Sequence, residues 1–471
     1  MRNDPEKEFA LSRRRLLGAG IGVSAMSLFS GIAGRAAALE NTGFHPAARA
    51  KNIIYIDLIG GASQIDLFDP KPELTKRDGQ LCPDELFEGK RLAFIRDRPK
   101  LKGSAFKFSP HGESGTEISN LLPHFSGIVD EVAIVRSMHT DEFNHTPAQL
   151  QLVTGIGQFG RPSIGAWVDY GIGTENPDLP GFIALLSGRN QPAAGSAAWG
   201  AGMLPSRHQG IELRSEGAPI LYLENPPGIS REQQQRDIAV INQLNQMEYA
   251  RTQDEEIRTR MAQYELAWRM QDTVPEAAAI QQESAAVQAG YGIGKDPSGF
   301  GRQCLLARRL VERGVRFVQI FDTGWDHHSE IDNYLPVKTR EIDQAVSYLV
   351  LDLKERGLLE ETLVVCATEF GRTPIVQSID QSGQPAEPGR DHQRDAFSVW
   401  LAGGGVRPGI TYGQTDELGH KIVQDPVHVH DLNATILHLL GLNHERLTFR
   451  SQGRDYRLTD VHGTVVDGLL A

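Results

Sequence analysis

The sequence predicts an α/β protein with a central, mostly parallel β-sheet sandwiched by helices. Five short and nearly continuous apolar runs each end in a polar or glycine-rich turn, and they lie at 51–61, 131–140, 315–328, 362–374 and 397–405. Such runs are typical of strands that are buried on both faces, as in parallel sheets. Helical patterns lie between several of them, and alternating strands and helices indicate the α/β class.

The first 38 residues are predicted to be a signal segment. They contain Arg13-Arg14 after Ser12, a short apolar run that glycines and serines interrupt, and an alanine-rich end. This pattern indicates export by the twin-arginine route, with cleavage near Ala38 and the periplasm or the extracellular space as the destination. A membrane anchor is the alternative, but the run is short for a span. No later segment is apolar enough to cross a bilayer, so we expect no integral membrane span in the mature chain.

The charge and the cysteines exclude some classes of function. The net charge of the whole chain is −12, and residues 1–38 hold six Lys and Arg against three Asp and Glu, which leaves −15 for the mature chain. A surface this acidic argues against nucleic acid as the partner. The three cysteines are far apart in the sequence, so they predict neither a disulfide framework nor a zinc finger.

The helical patterns complete the predicted domain, which we expect to be single and to cover residues 39–471. Helices are predicted within 299–314, before the third apolar run, and within 339–361, before the fourth. A third begins near 430, with Asp431 as a plausible cap. Residues 230–290 are rich in Gln, Glu and Arg with apolar positions at helical spacing, and they predict a helical insertion.

Candidate metal ligands follow the predicted strands. Because ligands bind beyond the carboxyl ends of parallel strands, polar residues at those ends are the ones to consider. Four groups stand there: His139, Asp141 and His145; Asp322, Asp326, His327 and His328; Glu369; and Arg390, Asp391 and His392. Imidazole with carboxylate favours zinc, manganese or iron, and calcium is possible although it prefers more oxygen ligands.

Two arginines stand beside these acids. Arg372 follows Glu369, and Arg390 precedes Asp391. The simple interpretation of each is a surface ion pair, which contributes little to stability. The functional interpretation is a guanidinium fork that binds phosphate or sulfate oxygens.

Several motifs together resemble the alkaline phosphatase and sulfatase superfamily. They are "GGASQIDLFDPKP", "NHTPAQLQLVTG", "GWDHHSE", "TEFGRTP", "GRDHQRDAFSVWLAGGGVRPGITYGQTDE" and "VHVHDLNATILHLLGLNHERLTF". Within that superfamily the chain resembles, over nearly its whole length, a Tat-exported, sulfatase-like family known as domain of unknown function 1501. The resemblance implies an alkaline-phosphatase-like fold, a divalent metal ion and an anionic small-molecule or saccharide ester as substrate.

The resemblance also assigns the segment "HTPAQLQLVTG". It is similar to the sulfatase segment that runs from Cys/Ser-x-Pro-x-Arg to Leu-Thr-Gly, so His145 stands at the nucleophile position, with Thr146 beside it and Gln149 in place of the arginine. A formylglycine cannot form there. The candidate catalytic residues are therefore His145 or Thr146, with Arg372 and Arg390 on the anion. Thr146 is expected to cap a helix that begins at Pro147.

The resemblance implies a partly altered metal site. The expected Asp, His and later His are present as Asp326, His328 and His392, and we expect them to lie within a few ångströms of one another. Ile59-Gly60-Gly61 stands where relatives carry a metal-binding Asp, and Glu369-Phe370 stands where they carry Asp-His. We therefore expect one metal site, with Glu369 adjacent, and a second that is depleted or rebuilt. The further candidate ligands are Asp66, His139, His145 and Asp391, whereas Asp322 and His327 are expected to be bystanders.

Two functions remain open on the sequence. The first is an exported, metal-dependent hydrolase of phosphate or sulfate esters without formylglycine chemistry. The second is a non-catalytic exported binding protein that retains the fold and a structural metal. Phosphomutase-like or lyase activity is a further alternative, and fold resemblance does not decide among them.

Overall fold

The computed structural model describes residues 46–86, 99–187, 191–214, 219–220, 225, 227–294, 298–379 and 384–471. The predicted signal segment, residues 1–38, lies outside these ranges, so the predicted cleavage site stays a prediction. Phe44–Ala471 forms one compact unit. No helix among the described residues is both long enough and apolar enough to cross a membrane.

Seventeen strands occur in the described part of the chain. They are β1 (Asn52–Ile59), β2 (Phe108–His111), β3 (Thr116–Ser119), β4 (Val132–His139), β5 (Phe182–Ser187), β6 (Ile211–Leu213), β7 (Phe317–Thr323), β8 (Thr362–Ala367), β9 (Gly371–Ile379), β10 (Pro385–Gln393), β11 (Phe397–Ala402), β12 (Ile410–Tyr412), β13 (Gln414–Thr415), β14 (Ile422–Gln424), β15 (Val427–His428), β16 (Phe449–Ser451) and β17 (Arg454–Tyr456).

The α-helices of the same residues connect and cover these strands. They are α1 (Gln64–Leu67), α2 (Pro72–Lys76), α3 (His145–Thr154), α4 (Ile164–Ile172), α5 (Arg231–Thr252), α6 (Glu255–Ala278), α7 (Ala285–Gly290), α8 (Phe300–Glu312), α9 (Ile331–Glu355) and α10 (Val429–Leu439). Short 3₁₀ helices lie at Asp84–Leu86, Phe125–Glu131, Gly195–Trp199, Ser206–His208, Ile280–Gln282 and Asp467–Leu469.

A nine-stranded sheet forms the centre, in the order β12-β4-β11-β8-β1-β7-β5-β6, with β15 also paired to β4. The predicted fold class is confirmed, and the five apolar runs are β1, β4, β7, β8 and β11. Strand β1 pairs in parallel with both β7 and β8. Strand β11 departs from the prediction, because it is antiparallel to β4 and β8.

Both faces of the sheet are covered, as the continuous apolar strands predict. In β1, Ile54 and Ile56 belong to the core that includes α8 and α9, whereas Ile53 and Tyr55 belong to the opposite core, with α3, α4 and α10. This alternation follows from the two-residue period of a strand. The helical insertion is present as α5 and α6, which pack against each other.

A two-stranded hairpin of β9 and β10 lies outside the central sheet and carries four predicted site residues, Arg372, Arg390, Asp391 and His392. In it, His392 pairs with Arg372. Residues 390–392 therefore precede β11 instead of following a strand, which corrects the prediction that they stand at a strand end. Since β11 is antiparallel to β8, its first residue lies at the edge where β8 ends, and His392 still reaches that edge.

The predicted cap of the last helix is wrong by three positions. Helix α10 begins at Val429, and His428 is its N-cap residue. Asp431 is the third helical residue, and its carboxylate accepts the backbone N–H of His428 at 2.9 Å. Asp431 thus completes a capping box instead of forming the cap itself.

Candidate metal centre

Four side chains from three separate segments meet beyond the carboxyl ends of the parallel strands. Asp326 and His328 stand in the loop between β7 and α9, His145 is the first residue of α3, and His392 lies in β10. One ligand atom from each of the four lies within 4.8 Å of the others. We call this group the Asp326 cluster. It contains the three ligands expected from the resemblance and adds His145.

Each histidine of the Asp326 cluster is held through its Nδ1 atom. His145 Nδ1 lies 2.8 Å from Glu369 Oε1, and His328 Nδ1 lies 2.7 Å from Gln377 Oε1. His392 Nδ1 lies 2.8 Å from the carbonyl oxygen of Phe143. Since all three partners are oxygen acceptors, each Nδ1 carries the proton and donates it.

The Nε2 atoms all face the Asp326 carboxylate. Their distances to its oxygens are 3.3 Å for His145, 3.0 Å for His328 and 3.3 Å for His392. With Nδ1 protonated, a neutral ring presents a lone pair at Nε2, so three lone pairs and a carboxylate converge. His145 Nε2 is moreover a buried atom. This donor set fits a divalent cation of the zinc, manganese or iron type.

Hydrogen bonding and charge perturb the acids and bases of the cluster strongly. Burial opposes ionisation of Asp326, but hydrogen bonds from His145, His328 and His392 outweigh it and hold the pKa of that carboxyl well below its usual range. Burial also lowers the pKa of His145, but its bonds to Asp326 and Glu369 raise that pKa to about 9.

The pKa of His392 shifts in the opposite direction to that of His145. Burial lowers its pKa to about 4, against the hydrogen bond to Asp326, and the charges of Arg372 and the neighbouring histidines add to the lowering. His145 differs from His392 because it has a second carboxylate, Glu369. The proton that a metal ion must displace is therefore held more strongly at His145 than at His392.

Glu369 stands behind the cluster, where it positions His145. Its side chain is fully buried, and it accepts the N–H of Gly60 at 2.9 and 3.1 Å and the amide of Gln149 at 3.2 Å, besides the ring of His145. Burial raises the pKa of Glu369, but these bonds outweigh it and lower the pKa. A carboxylate that orients a metal-binding histidine in this way fixes its tautomer and raises its basicity.

Arg372 positions Asp326. Its guanidinium is fully buried, donates to an oxygen of Asp326, and also binds the carbonyl oxygens of Gly60, Gly61 and Arg390. The side chain thus joins the turn after β1 to the loop that carries Asp326 and His328. Arg372 therefore does not provide the expected guanidinium fork for an anion, because its N–H groups already donate to protein oxygens.

Arg390 is also unavailable to an anion, which corrects its interpretation as an anion-binding residue. Arg390 is fully buried, and it forms a bidentate pair with Asp66 at 2.8 and 3.1 Å. Its remaining N–H groups donate to the backbone carbonyls of Lys102, Gly103 and Thr373. The same pair removes Asp66 from the candidate replacement ligands.

The remaining candidate ligands, Asp391 and His139, and the two expected bystanders, Asp322 and His327, lie outside the Asp326 cluster. Asp391 is buried, and its carboxylate accepts the N–H of His392 at 2.8 Å. His139 packs its ring edge-on against His428, with 4.9 Å between the centroids. Asp322 is bound by Lys338 and by the indole of Trp325, at the start of the loop that carries Asp326. His327 is buried outside the cluster, and burial lowers its pKa to about 4.

The start of α3 differs from the prediction. The helix begins at His145, two residues before Pro147, and Asn144 is the N-cap residue without a side-chain capping bond. Thr146 is therefore the second helical residue and not the cap. Its hydroxyl forms no hydrogen bond with any described residue. His145 does face His392, as predicted, with 4.5 Å between the rings.

Phe370 stands where the resemblance implies a histidine ligand. Its buried ring packs against His145 and His392, with centroid distances of 5.0 and 4.3 Å. An aromatic side chain, and not a ligand, thus lies beside the Asp326 cluster at this position. Sequence reasoning did not identify the residues that hold the rings, Gln377 and the Phe143 carbonyl, since an amide or a carbonyl carries no distinctive sequence signal.

The chain is similar in sequence to one family of proteins and in structure to several solved proteins. The sequence model of the family described as "Protein of unknown function (DUF1501)" matches residues 50–470. No curated protein has a sequence that matches this chain. Among solved structures, the PsFucS1 sulfatase from Pseudoalteromonas sp. is 14% identical, with 94% of this chain and 73% of that chain covered and a TM-score of 0.37.

Two further solved structures are similar at the same low level. The lipoteichoic acid synthase LtaP from Listeria monocytogenes is 9% identical over 90% of this chain and 80% of its own, with a TM-score of 0.37. The alkaline phosphatase from the Antarctic bacterium TAB5 is 10% identical over 77% of this chain and 95% of its own, with a TM-score of 0.30.

Proposed function

The chain belongs to the DUF1501 family, and from its metal centre we propose that it is an exported, metal-dependent hydrolase of phosphate or sulfate esters. We propose that its substrate is an anionic small molecule or a saccharide ester, and that the protein is exported by the twin-arginine route. No formylglycine is involved, because His145 occupies the position where that residue would form.

The convergence of three imidazole Nε2 atoms on Asp326 carries the proposal. Each ring is fixed by a separate acceptor, so the donor set is organised before any ion binds. An ion held by the Asp326 cluster supplies a positive charge for the anionic ester group. The four protein donors would be His145, Asp326, His328 and His392.

The start of α3 supports an anionic substrate in the same place. The helix begins at His145, so its first N–H groups and the positive end of its dipole lie beside the cluster, where they favour negative charge. Pro147 has no N–H, so the available groups belong to the two residues before it. This local field contrasts with the net negative charge of the whole chain.

The geometry gives different roles to the two candidate nucleophiles, His145 and Thr146. His145 has one nitrogen on Glu369 and the other directed at the metal-binding point, so as a ligand it has no lone pair left for attack. Thr146 has a hydroxyl without a hydrogen bond among the described residues, one position further along the helix. We therefore assign His145 to the metal and keep Thr146 as the candidate nucleophile.

One observation favours the alternative, a non-catalytic binding protein with a structural metal. Arg372 and Arg390, the two arginines expected to bind the anion, donate to protein oxygens. An esterase of this kind would then have to stabilise its substrate with the ion and the helix start alone. Turnover by metal-loaded protein distinguishes the two functions.

The test combines metal analysis with a substrate screen. Purified mature protein is stripped with chelator, reloaded with Zn²⁺ or Mn²⁺, and assayed with aryl phosphates and aryl sulfates. We expect turnover only in reloaded protein, and we expect His328→Gln to lose turnover and the ion of the Asp326 cluster, because it removes one of the four donors.

The adjacent histidine provides a matched control. His327→Gln changes a buried ring next to His328 that is not part of the Asp326 cluster, so it should retain metal and turnover. Metal binding without turnover on either ester class would favour the binding protein. If the folded protein takes up no metal, both the hydrolase and the metal-containing binding protein are rejected.

A further inference from the structure

A second group of ligand-type side chains lies at the other end of α3. One ligand atom from each of Asp141, His428 and His430 lies within 4.8 Å of the others, and we call them the His430 cluster. The His430 ring lies against Gly155, the residue that ends α3, where an added Cβ would be 3.7 Å from its Cε1.

The two clusters are too far apart to share an ion. Helix α3 has ten residues, with His145 at its first position, and its length is therefore roughly 15 Å. The His430 cluster thus belongs neither to the Asp326 cluster nor to a pair of ions in contact across one substrate, which would lie about 4 Å apart.

An open cavity adjoins the His430 cluster. It has a volume of ≈ 450 Å³, and Asp431 and residues 461–464 of the C-terminal segment line it together with the cluster. The ring of His430 is stacked against two others, at 4.8 Å from His428 and 5.0 Å from His462. Three imidazoles and two carboxylates therefore border one space that solvent or an ion can enter.

His430 carries an unsatisfied nitrogen in this cavity wall. Only 4% of the residue is exposed, and its Nδ1 atom is buried without a hydrogen-bond partner. A buried polar atom without a partner is costly, and such atoms in folded proteins commonly indicate an ion or a water that completes the site. The Asp141 carboxylate, in contrast, is largely exposed and accessible from solvent.

We propose that the His430 cluster is a second metal site, which binds a divalent transition-metal ion that prefers imidazole, such as Zn²⁺, Ni²⁺ or Cu²⁺. The predominance of nitrogen donors excludes Ca²⁺ and Mg²⁺ as the preferred ions. The inference does not rest on the proposed hydrolysis, because it depends only on residues outside the Asp326 cluster.

Binding requires one proton to move. His428 Nδ1 accepts the N–H of His430 at 3.2 Å, so its Nε2 carries the proton, 3.2 Å from Asp141 Oδ2. An ion that binds Nε2 displaces that proton, and Nδ1 takes one up, so the ring stays neutral and no net proton is released. The cap of α10 then loses one long hydrogen bond but keeps the bond from His428 N–H to Asp431.

The site would stabilise a loop that the Asp326 cluster uses. Asp141 lies two residues before Phe143, whose carbonyl oxygen holds His392 Nδ1. An ion bound to Asp141, His428 and His430 would tie this loop to the start of α10. We therefore expect the second ion to increase affinity at the Asp326 cluster by a few-fold.

The test is the zinc stoichiometry of the wild type and four variants of the full mature chain. Each protein is stripped of metal and then measured by calorimetric titration with Zn²⁺ and by elemental analysis. The wild type should bind two ions. Asp141→Asn, which is exposed and keeps the size of the side chain, should bind one. His428→Asn should also bind one, and it should keep α10 intact because asparagine is a favoured N-cap residue.

His328→Gln, which damages only the Asp326 cluster, should also bind one ion. The double variant His328→Gln/Asp141→Asn should bind none. A wild type that binds a single ion, lost in His328→Gln and kept in Asp141→Asn, overturns the proposal. So does a stoichiometry of two that neither Asp141→Asn nor His428→Asn reduces. Absence of turnover in protein with two ions rejects the hydrolase and leaves the second site intact.

Discussion

Replacement of Glu369 by glutamine isolates the charge that positions His145. The fully buried carboxylate accepts hydrogen bonds from His145 Nδ1 at 2.8 Å, from the N–H of Gly60 at 2.9 Å and from the Gln149 amide at 3.2 Å. Glutamine has nearly the same size but offers one acceptor oxygen and an NH₂ group. That NH₂ group must face donors, so at least one buried donor is left unpaired and His145 loses its anionic partner.

The magnitude follows from these contacts. Loss of the residue that orients a metal-binding histidine costs about 10- to 100-fold in metal affinity, which is about 1.4 to 2.7 kcal/mol of binding free energy. The unpaired donor costs roughly 1 to 3 kcal/mol of folding stability. Removal of a buried charge offsets part of that second cost. The effect on metal affinity should therefore be clearer than the effect on stability.

The assay is chelator competition for Zn²⁺ on stripped protein, with circular dichroism to establish that Glu369→Gln is folded. Glu360→Gln, an exposed change nine residues earlier, serves as the control and should bind zinc like the wild type. A Glu369→Gln variant whose affinity at the Asp326 cluster stays within two-fold of the wild type would refute the positioning role.

Three more predictions follow from buried charge. Lys338→Met leaves Asp322, which Lys338 contacts at 3.0 and 2.9 Å, uncompensated at the start of the loop that carries Asp326; urea unfolding should show a loss of about 3 to 5 kcal/mol, and an added Asp322→Asn should restore part of it. Arg390→Met should lose about as much stability by breaking its pair with Asp66, yet elemental analysis of the folded protein should find unchanged zinc; lost zinc at normal stability would contradict this. The pKa of His145 is raised from 6.5 to about 9, so its contribution to the stability of metal-free protein is complete below pH 6.5 and disappears as the pH rises through about 9. The melting temperature of metal-free wild type should accordingly fall over that interval, and that of His145→Gln should not.

The sequence predicted the fold class because the strands that matter are nearly uniform in apolar character. Strands β1, β7 and β8 are buried on both faces, and each is a single short run of apolar residues with few polar interruptions. The same uniformity gives no information on strand direction, because a run of apolar residues has the same pattern in a parallel and in an antiparallel strand. The antiparallel course of β11 is set by the β9–β10 hairpin before it, whose length and pairing the sequence pattern did not indicate.

The candidate site was only partly predictable, and the reason is sequence separation. Asp326 and His328 share one short loop, so their proximity is local. The pairing of Arg390 with Asp66 joins residues 324 positions apart, and no local pattern reveals that a guanidinium will be occupied by such a partner. The ligand character of His145 likewise depends on Glu369, 224 positions away.

The turn after β1 limits how this site can be altered by substitution. Gly60 has a φ of +125°, and a Cβ placed on it would lie 2.5 Å from the backbone nitrogen of Asp326. The position at which the resemblance implies an acidic ligand therefore has no room for a side chain, and a mutation of Gly60 to aspartate would displace the very loop that holds Asp326. A single substitution would thus not create a usable acidic ligand there. An attempt to engineer the missing ligand would have to rebuild the contact between this turn and the Asp326 loop first.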